Sequence, residues 1–500
     1  MGEEKRSGYG SRIGLLCVLV AGSVGTGNMW RYPRLVCTYG GAFVVASIVG
    51  LILIAIPLVM NENFMGRASR HSAPGAFRDL LGPKYTWMGT FATMCYFLMH
   101  CNYTVILAWC VRYTFMSATG SYFGVEDKME LFNSVASKDL WTGVCWVGIV
   151  VLAWFFMKRQ SIMEKMTKFI VPAMFFILII MICFAATREG GVEGYKYSFS
   201  FTAADLVNPT IWLEAITQDF WSLGSGTMLC VTMAKFADKK EDIVVNANVQ
   251  AFGDSSFAML ATLSVLPCIF SFAGTTEEAV ALAQSGNNGL TFVGLCNLFE
   301  SVAGGRILGA LFFACLVFAA FSSVCVAGTV FAGPLIDCGM KRGKAVALVL
   351  AGHLLIALPC FLNQDILSNQ DSTWGFGIFI GGTFSGLFAM KYGPKKIHQL
   401  INAVSDKKLG KSFEYLVGLL APVACIIIMA AWLIQSISWD PEWYNPFRTS
   451  STMTMLIQWA IALAISFGLN KVINKKTIGV YYDPNSDEFP EVPDQIMEQV

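Results

Sequence analysis

Charge is scarce in this chain. Only 14% of its 500 residues are Asp, Glu, Lys or Arg, against roughly 25% in soluble domains. That scarcity excludes an ordinary water-soluble protein. The net charge of +1 names no partner, and no nucleic acid is expected. Histidine is sparse too: His71, His100, His353 and His398 are scattered and pair with no visible nucleophile. With no Ser/His/Asp, metal or phosphate-loop constellation either, the chain does not read as an enzyme. The 15 cysteines lack metal-ligand spacing. Most lie inside apolar runs, as Cys17, Cys95, Cys183, Cys315 and Cys425 do, so they read as buried thiols rather than a disulfide framework. No cleavable leader is evident, because the first apolar run is too long and lacks a small-residue cleavage site.

What is present is apolar length. The mean hydropathy is +0.57, and runs of about 20 apolar residues recur throughout, the mark of a polytopic helical membrane protein. Spans are predicted at 12–37, 41–66, 86–118, 139–157 and 166–187, then at 210–236, 243–273, 306–337, 344–362 and 373–391. Two more at 414–437 and 451–470 make twelve transmembrane helices. Residues 1–11 form an N-terminal tail and 471–500 a C-terminal tail, acidic and proline-containing from Tyr481. The loop 274–305 carries a predicted short helix over Glu277 to Gln284. Cations cluster on alternate loops: Arg67, Arg70, Arg78 and Lys84; Lys158, Arg159 and Lys165; Lys341, Arg342 and Lys344; Lys391, Lys395, Lys396, Lys407, Lys408 and Lys411. Those loops and both termini fall on one side, which the positive-inside rule makes cytoplasmic. The expected location is the plasma membrane, in a bacterium the inner membrane.

Two of the spans are interrupted. Gly22-Ser23-Val24-Gly25-Thr26-Gly27 breaks the first, and Gly224-Ser225-Gly226 breaks the sixth. Each glycine weakens a helix by roughly 1 kcal/mol relative to alanine. Unpaired backbone in hydrocarbon is tolerated only where it lines a cavity or binds something. A single break reads equally as a kink or a ligand site. Two breaks in corresponding halves point to a midplane binding site of a transporter.

The first break with Asn28, Met29, Trp30, Arg31, Tyr32 and Pro33, the following Gly40-Gly41-Ala42-Phe43, the run Asn61 to Arg67, and Gln218-x-x-x-Ser222-Leu223-Gly224 together resemble the neurotransmitter:sodium symporter family in its bacterial form. The likeness runs from about Arg6 to the tenth span. It implies an all-α fold of two inverted five-helix repeats, 12–187 and 210–391, opening on broken helices 1 and 6, plus two further helices at 414–470.

It also implies two sodium ions. One maps onto Ser23, Asn28, Ser222 and Asp254, and the other onto Ala21, Val24, Ala319, Ser322 and Ser323. Taken alone, the last two serines read as back-bonding to helix carbonyls. The implied substrate pocket comprises Gly22, Ser23, Gly25, Thr26, Gly27, Met99, Tyr103, Trp221, Ser222, Gly224, Thr227, Val324 and Ala327. The amides of Thr26 and Gly27 suit a carboxylate, since half-helix N-termini present free N–H groups. Trp221 and Thr227 depart from the family, which usually has Phe and another aromatic there, so substrate identity does not transfer. Gly25 stands where monoamine members carry aspartate, which favours a substrate with its own carboxylate. Arg31 with Asp371 maps onto the outer gate and Arg6 with Asp337 onto the inner one; interfacial snorkelling is the alternative. Glu62 is read as structural, accepting from the unwound backbone near Gly224, and Asp219 inherits no role.

The implied function is sodium-coupled import of an amino acid or related zwitterion by alternating access. A non-transporting receptor on the same fold and a symporter of another amine are the rivals. Asp254 stands where the family has Asn. Ala258 and Ser47 replace groups that elsewhere supply a carboxylate or help bind chloride, so chloride is not expected. The sequence does not set the oligomeric state.

Overall fold

The computed structural model describes residues 10–238 and 240–479. Arg6 and the acidic tail therefore lie outside the described residues. Among the described residues, ten unbroken helices are long and apolar enough to cross a membrane: Gly41–Ser69, Pro83–Thr119, Leu140–Met157, Gln160–Ala186, Ile243–Ala273, Gly305–Asp337, Arg342–Leu362, Gln364–Tyr392, Ser412–Ser436 and Thr452–Lys476. These are spans 2–5 and 7–12. Span 1 is the pair Arg12–Ser23 and Gly27–Tyr39, bent by 59°. Span 6 is Pro209–Leu223 followed, after the second glycine break, by Leu229–Ala234. The all-helical, twelve-span reading holds, with the two breaks opening the two halves.

Several ends differ from the sequence reading. Span 5 begins at Gln160 and span 10 at Gln364, because polar first turns extend a helix beyond its apolar run. Asp371 consequently sits inside span 10 rather than ahead of it. The short helix predicted at 277–284 is Thr276–Gln284. Start signals act locally: Ser11 Oγ accepts from Gly14 N–H, Asn208 Oδ1 from Thr210 N–H ahead of Pro209, and Asp242 Oδ1 from Val245 N–H. Such caps are worth about 1 kcal/mol each.

Spans 3 and 8 pack along each other, and span 10 lies against span 3. Together they enclose the breaks of spans 1 and 6. Several loop cations of the cation-rich face are buried rather than solvated. Arg67 donates to Glu241 O at 2.8 Å and Arg342 to Met157 O at 3.0 Å. They tie the loops to one another, and the buried partners are backbone carbonyls that need a donor.

Candidate functional site

The two breaks face one cavity of about 110 Å³. Hydrocarbon cannot satisfy the backbone groups freed there, and each one left bare would cost several kcal/mol. The protein supplies partners from other spans. Thr26 N–H donates to Tyr103 Oη at 2.8 Å, and Gly226 N–H donates to Glu62 Oε1 at 2.7 Å. Glu62 thus holds the second break at Gly226, two residues beyond the position expected. Gly226 has φ +82°, and a Cβ there would meet Ile378 O at 2.4 Å and Gly382 N at 2.6 Å. Only glycine lets the break lie this close to span 10. At Gly25 a Cβ would meet Tyr103 Oη at 2.9 Å, so an acidic side chain has no room while Tyr103 holds its place.

Gln250, which the sequence reading did not single out, ties the two breaks together. Its Nε2 donates to Ser23 Oγ at 2.8 Å and to Leu223 O at 3.3 Å. Asn28 ties the first break to span 7 one turn further along. Its Oδ1 accepts from Gly25 N–H at 2.9 Å, while its Nδ2 donates to Asp254 Oδ1 at 2.8 Å and Asp254 O at 3.2 Å. The Ser222 hydroxyl faces the same Asp254 carboxyl group. Asn28, Ser222 and Asp254, from three different spans, therefore converge beside the first break. On the other side of span 1, Ser322 Oγ donates to both Ala21 O at 3.2 Å and Ala319 O at 3.0 Å. Val24 is fully buried nearby in the chain, and Ser323 lines the cavity. Apart from the Asn28 Nδ2 that faces Asp254, the polar atoms of these two clusters are oxygens, the donor type that a hard cation takes.

The cavity wall contains Gly22, Ser23, Gly25, Thr26, Gly27, Met99, Tyr103, Trp221, Ser222 and Gly224, as the sequence reading places them. Thr227, Val324 and Ala327 are buried but stand off that wall. Thr227 turns its hydroxyl onto Gly224 O, capping the broken helix. Trp221 is fixed by its Nε1, which donates to Gly375 O at 3.1 Å, and the Arg31 guanidinium lies 5.2 Å from its ring centre.

Toward the cation-poor face, Arg31 and Asp371 both line the cavity, but no ion pair joins them among the described residues. Arg31 is instead paired with Glu214 at 2.6 Å and donates to Gln218 Oε1 at 2.6 Å. Both acceptors are on the same half of span 6, Pro209–Leu223. Toward the opposite face the closure is built on Asp337. Its Oδ1 accepts from Lys235 Nζ at 2.8 Å and its Oδ2 from Ser72 N–H at 2.7 Å. Lys235 thus pairs with the acid for which the sequence reading nominated Arg6. Thr477 and Ile478, just past span 12, join this closure. Ile478 N–H donates to Asp337 O at 2.8 Å, Arg78 reaches Thr477 O at 3.0 Å, and His71 Nε2 lies 2.7 Å from Ile478 O.

Asp219 is buried inside span 6. Ser47 Oγ donates to its Oδ1 at 2.7 Å, and its Oδ2 has no partner among the described residues.

A bundle of twelve spans with two facing, unwound helices, closed at one face and lined at midplane by polar groups, has the architecture of an alternating-access secondary transporter. The comparisons with known proteins agree. The profile of the sodium:neurotransmitter symporter family matches residues 6–123 and 128–481, and the chain belongs to that family. It is a family of transporters rather than enzymes. The chain is 28% identical over 505 residues to an uncharacterized sodium-dependent transporter of Methanocaldococcus jannaschii, covering 96% of this chain and 99% of the relative. It is 24% identical over 339 residues to the sodium-dependent neutral amino acid transporter B(0)AT2 of Pongo abelii, covering 60% and 45%. Among solved structures, MhsT in complex with L-phenylalanine superposes with a TM-score of 0.74 at 25% identity, covering 86% of this chain and all of that one. The protein is therefore a sodium-dependent symporter embedded in a membrane.

Proposed function

We propose that this symporter imports a neutral amino acid by alternating access, binding it with two sodium ions and without chloride. The observation that carries the reading is the convergence of both helix breaks on one cavity, where the Thr26 amide and Tyr103 hydroxyl meet at 2.8 Å. An incoming carboxylate takes that amide end, as anions do at helix N-termini. The first sodium is held by Ser23, Asn28, Ser222 and Asp254, and the second by Ala21, Val24, Ala319, Ser322 and Ser323. Relatives that carry neutral amino acids or bind L-phenylalanine support the substrate class. Residues 12–187 and 210–391 act as the two inverted repeats, with 414–470 outside them, and both termini are placed in the cytoplasm at the plasma membrane.

Asp254 is the reason for omitting chloride. Two unit charges about 4 Å apart interact with about 4 kcal/mol at an effective dielectric of 20, so bound cations with no nearby negative charge would be costly. The Asp254 carboxylate, 2.8 Å from Asn28, supplies the offsetting charge from within the first site.

The test is counterflow of labelled amino acids in proteoliposomes with and without a sodium gradient. Replacing chloride by gluconate is expected to leave uptake unchanged, and Asp254→Asn to abolish it or make it respond to chloride. Chloride-dependent uptake by the native protein overturns the chloride-free reading. Binding without any counterflow overturns transport in favour of a receptor.

A further inference from the structure

Span 3 contributes the part of the cavity that lies away from Arg31 and Asp371. His100 is there, one position after Met99 and one turn before Tyr103, and all three line the cavity. His100 is only 3% exposed. Its ring is caged by aromatics: Tyr96 at 4.9 Å and 86°, Tyr103 at 5.2 Å and 66°, and Phe331 at 5.7 Å. Within that cage, Nδ1 is sealed with no hydrogen-bond partner among the described residues, so the ring lines the cavity by its remaining edge. Ring edges and faces hold an imidazole in place but do not satisfy it.

A neutral imidazole carries one donor and one acceptor. Leaving such a group buried and unpaired costs about 1–3 kcal/mol. A phenyl ring would fill the same aromatic cage without that penalty. The imidazole is useful at this place if a group entering the cavity meets it. The charged side chains lining the cavity, Arg31 and Asp371, belong to its other end, and Arg31 is already paired with Glu214. Among the described residues lining the cavity, none on the His100 side offers a counter-charge, whereas the Ser323 hydroxyl lines the same cavity.

We propose that His100 is the specificity-determining residue at the side-chain end of the pocket, and that the preferred substrate is an amino acid whose uncharged side chain carries a hydrogen-bonding group, a hydroxyl or a carboxamide. This rests on the amino-acid reading above. A site built to hydrogen-bond a substrate group rejects the analogue lacking it far more strongly than an apolar pocket rejects one extra hydroxyl. The discrimination is therefore read from pairs matched in shape.

The experiment measures sodium-dependent binding of labelled amino acids to the purified full-length protein, in the pairs threonine and valine, asparagine and leucine, tyrosine and phenylalanine. At least one polar member is expected to bind tenfold or more tightly than its apolar match, with no pair reversed. In His100→Leu that ratio is expected to fall at least tenfold, and in His100→Asn to be largely kept. Thermal unfolding with and without sodium identifies which variants fold. A native protein that prefers the apolar member of its best-bound pair overturns the proposal whatever the variants do, and so does a folded His100→Leu with an unchanged ratio. If no amino acid binds in sodium, the amino-acid reading itself fails. If amino acids bind without the polar preference, only this inference fails.

Discussion

Lys235→Met tests the closure at the cation-rich face. The substitution keeps the length of the side chain and removes its charge. In the native protein Lys235 and Asp337 are 1% and 2% exposed, 2.8 Å apart. Removing one partner of such a pair costs about 3–5 kcal/mol, because the remaining charge stays buried and unpaired. Asp337 keeps the Ser72 amide at 2.7 Å, and in an open state it reaches water and is relieved. If half of the lower-to-middle range falls on the closed state alone, the opening equilibrium moves by about 2 kcal/mol, or roughly 30-fold. An open state populated at about 1% then rises to about 20%. Cys338, half-buried beside Asp337, reports the change in a variant whose other accessible cysteines are replaced; its rate of modification by a membrane-impermeant maleimide is expected to rise more than tenfold. Asp337→Asn alone is expected to speed labelling too, and the double variant to return toward the native rate. Additive single effects, or a Lys235→Met rate within twofold of native, refute the pairing as the latch.

Two further outcomes follow from the same geometry. Gly226→Ala places a Cβ 2.4 Å from Ile378 O and 2.6 Å from Gly382 N at a φ of +82°; since both neighbours are backbone, a loss above about 3 kcal/mol is expected, and a melting temperature within two or three degrees of native contradicts it. His71 supplies a pH dependence. Burial works against its charged form, but the hydrogen bond to Asp79 and the charges of Asp337 and Asp79 outweigh burial and Arg78, so its pKa is raised in the folded protein. The stabilisation is complete below its unfolded value of about 6.5 and is lost as pH rises through the raised folded value. The difference in melting temperature between the native protein and His71→Gln is expected to shrink from pH 6 upward, and a difference constant across that range refutes the assignment.

The frame of this protein is legible in its sequence because hydrocarbon imposes simple demands. Apolar runs of sufficient length become spans, and three glycines between Gly22 and Gly27 have few uses in the middle of one. Side-chain pairing was less legible. Lys235 follows the second break at a distance typical of an interfacial cation, and nothing in its neighbours announces that it turns inward onto Asp337. Glu214 lies ahead of the break with no mark of its pairing to Arg31. Gln250, which bridges Ser23 and Leu223, sits among other polar residues of span 7. Position-by-position likeness also transfers the place of a residue but not its rotamer: Thr227 satisfies its own helix end rather than facing the cavity. His100 was passed over because a histidine is usually judged by the groups beside it in sequence, and its aromatic cage is assembled from two spans.

The hydrogen bond from Ile478 N–H to Asp337 O gives the end of the described chain a mechanical meaning. Arg78 and His71, from the segment after span 2, hold the carbonyls of Thr477 and Ile478, so residues 477 and 478 are tied to the latch from both sides. A load applied beyond residue 479 would be felt first at Asp337, before it strained span 12. Residues 477 and 478 are thus a lever on this closure, and a pull on them would be expected to alter the rate at which the closed face lets go.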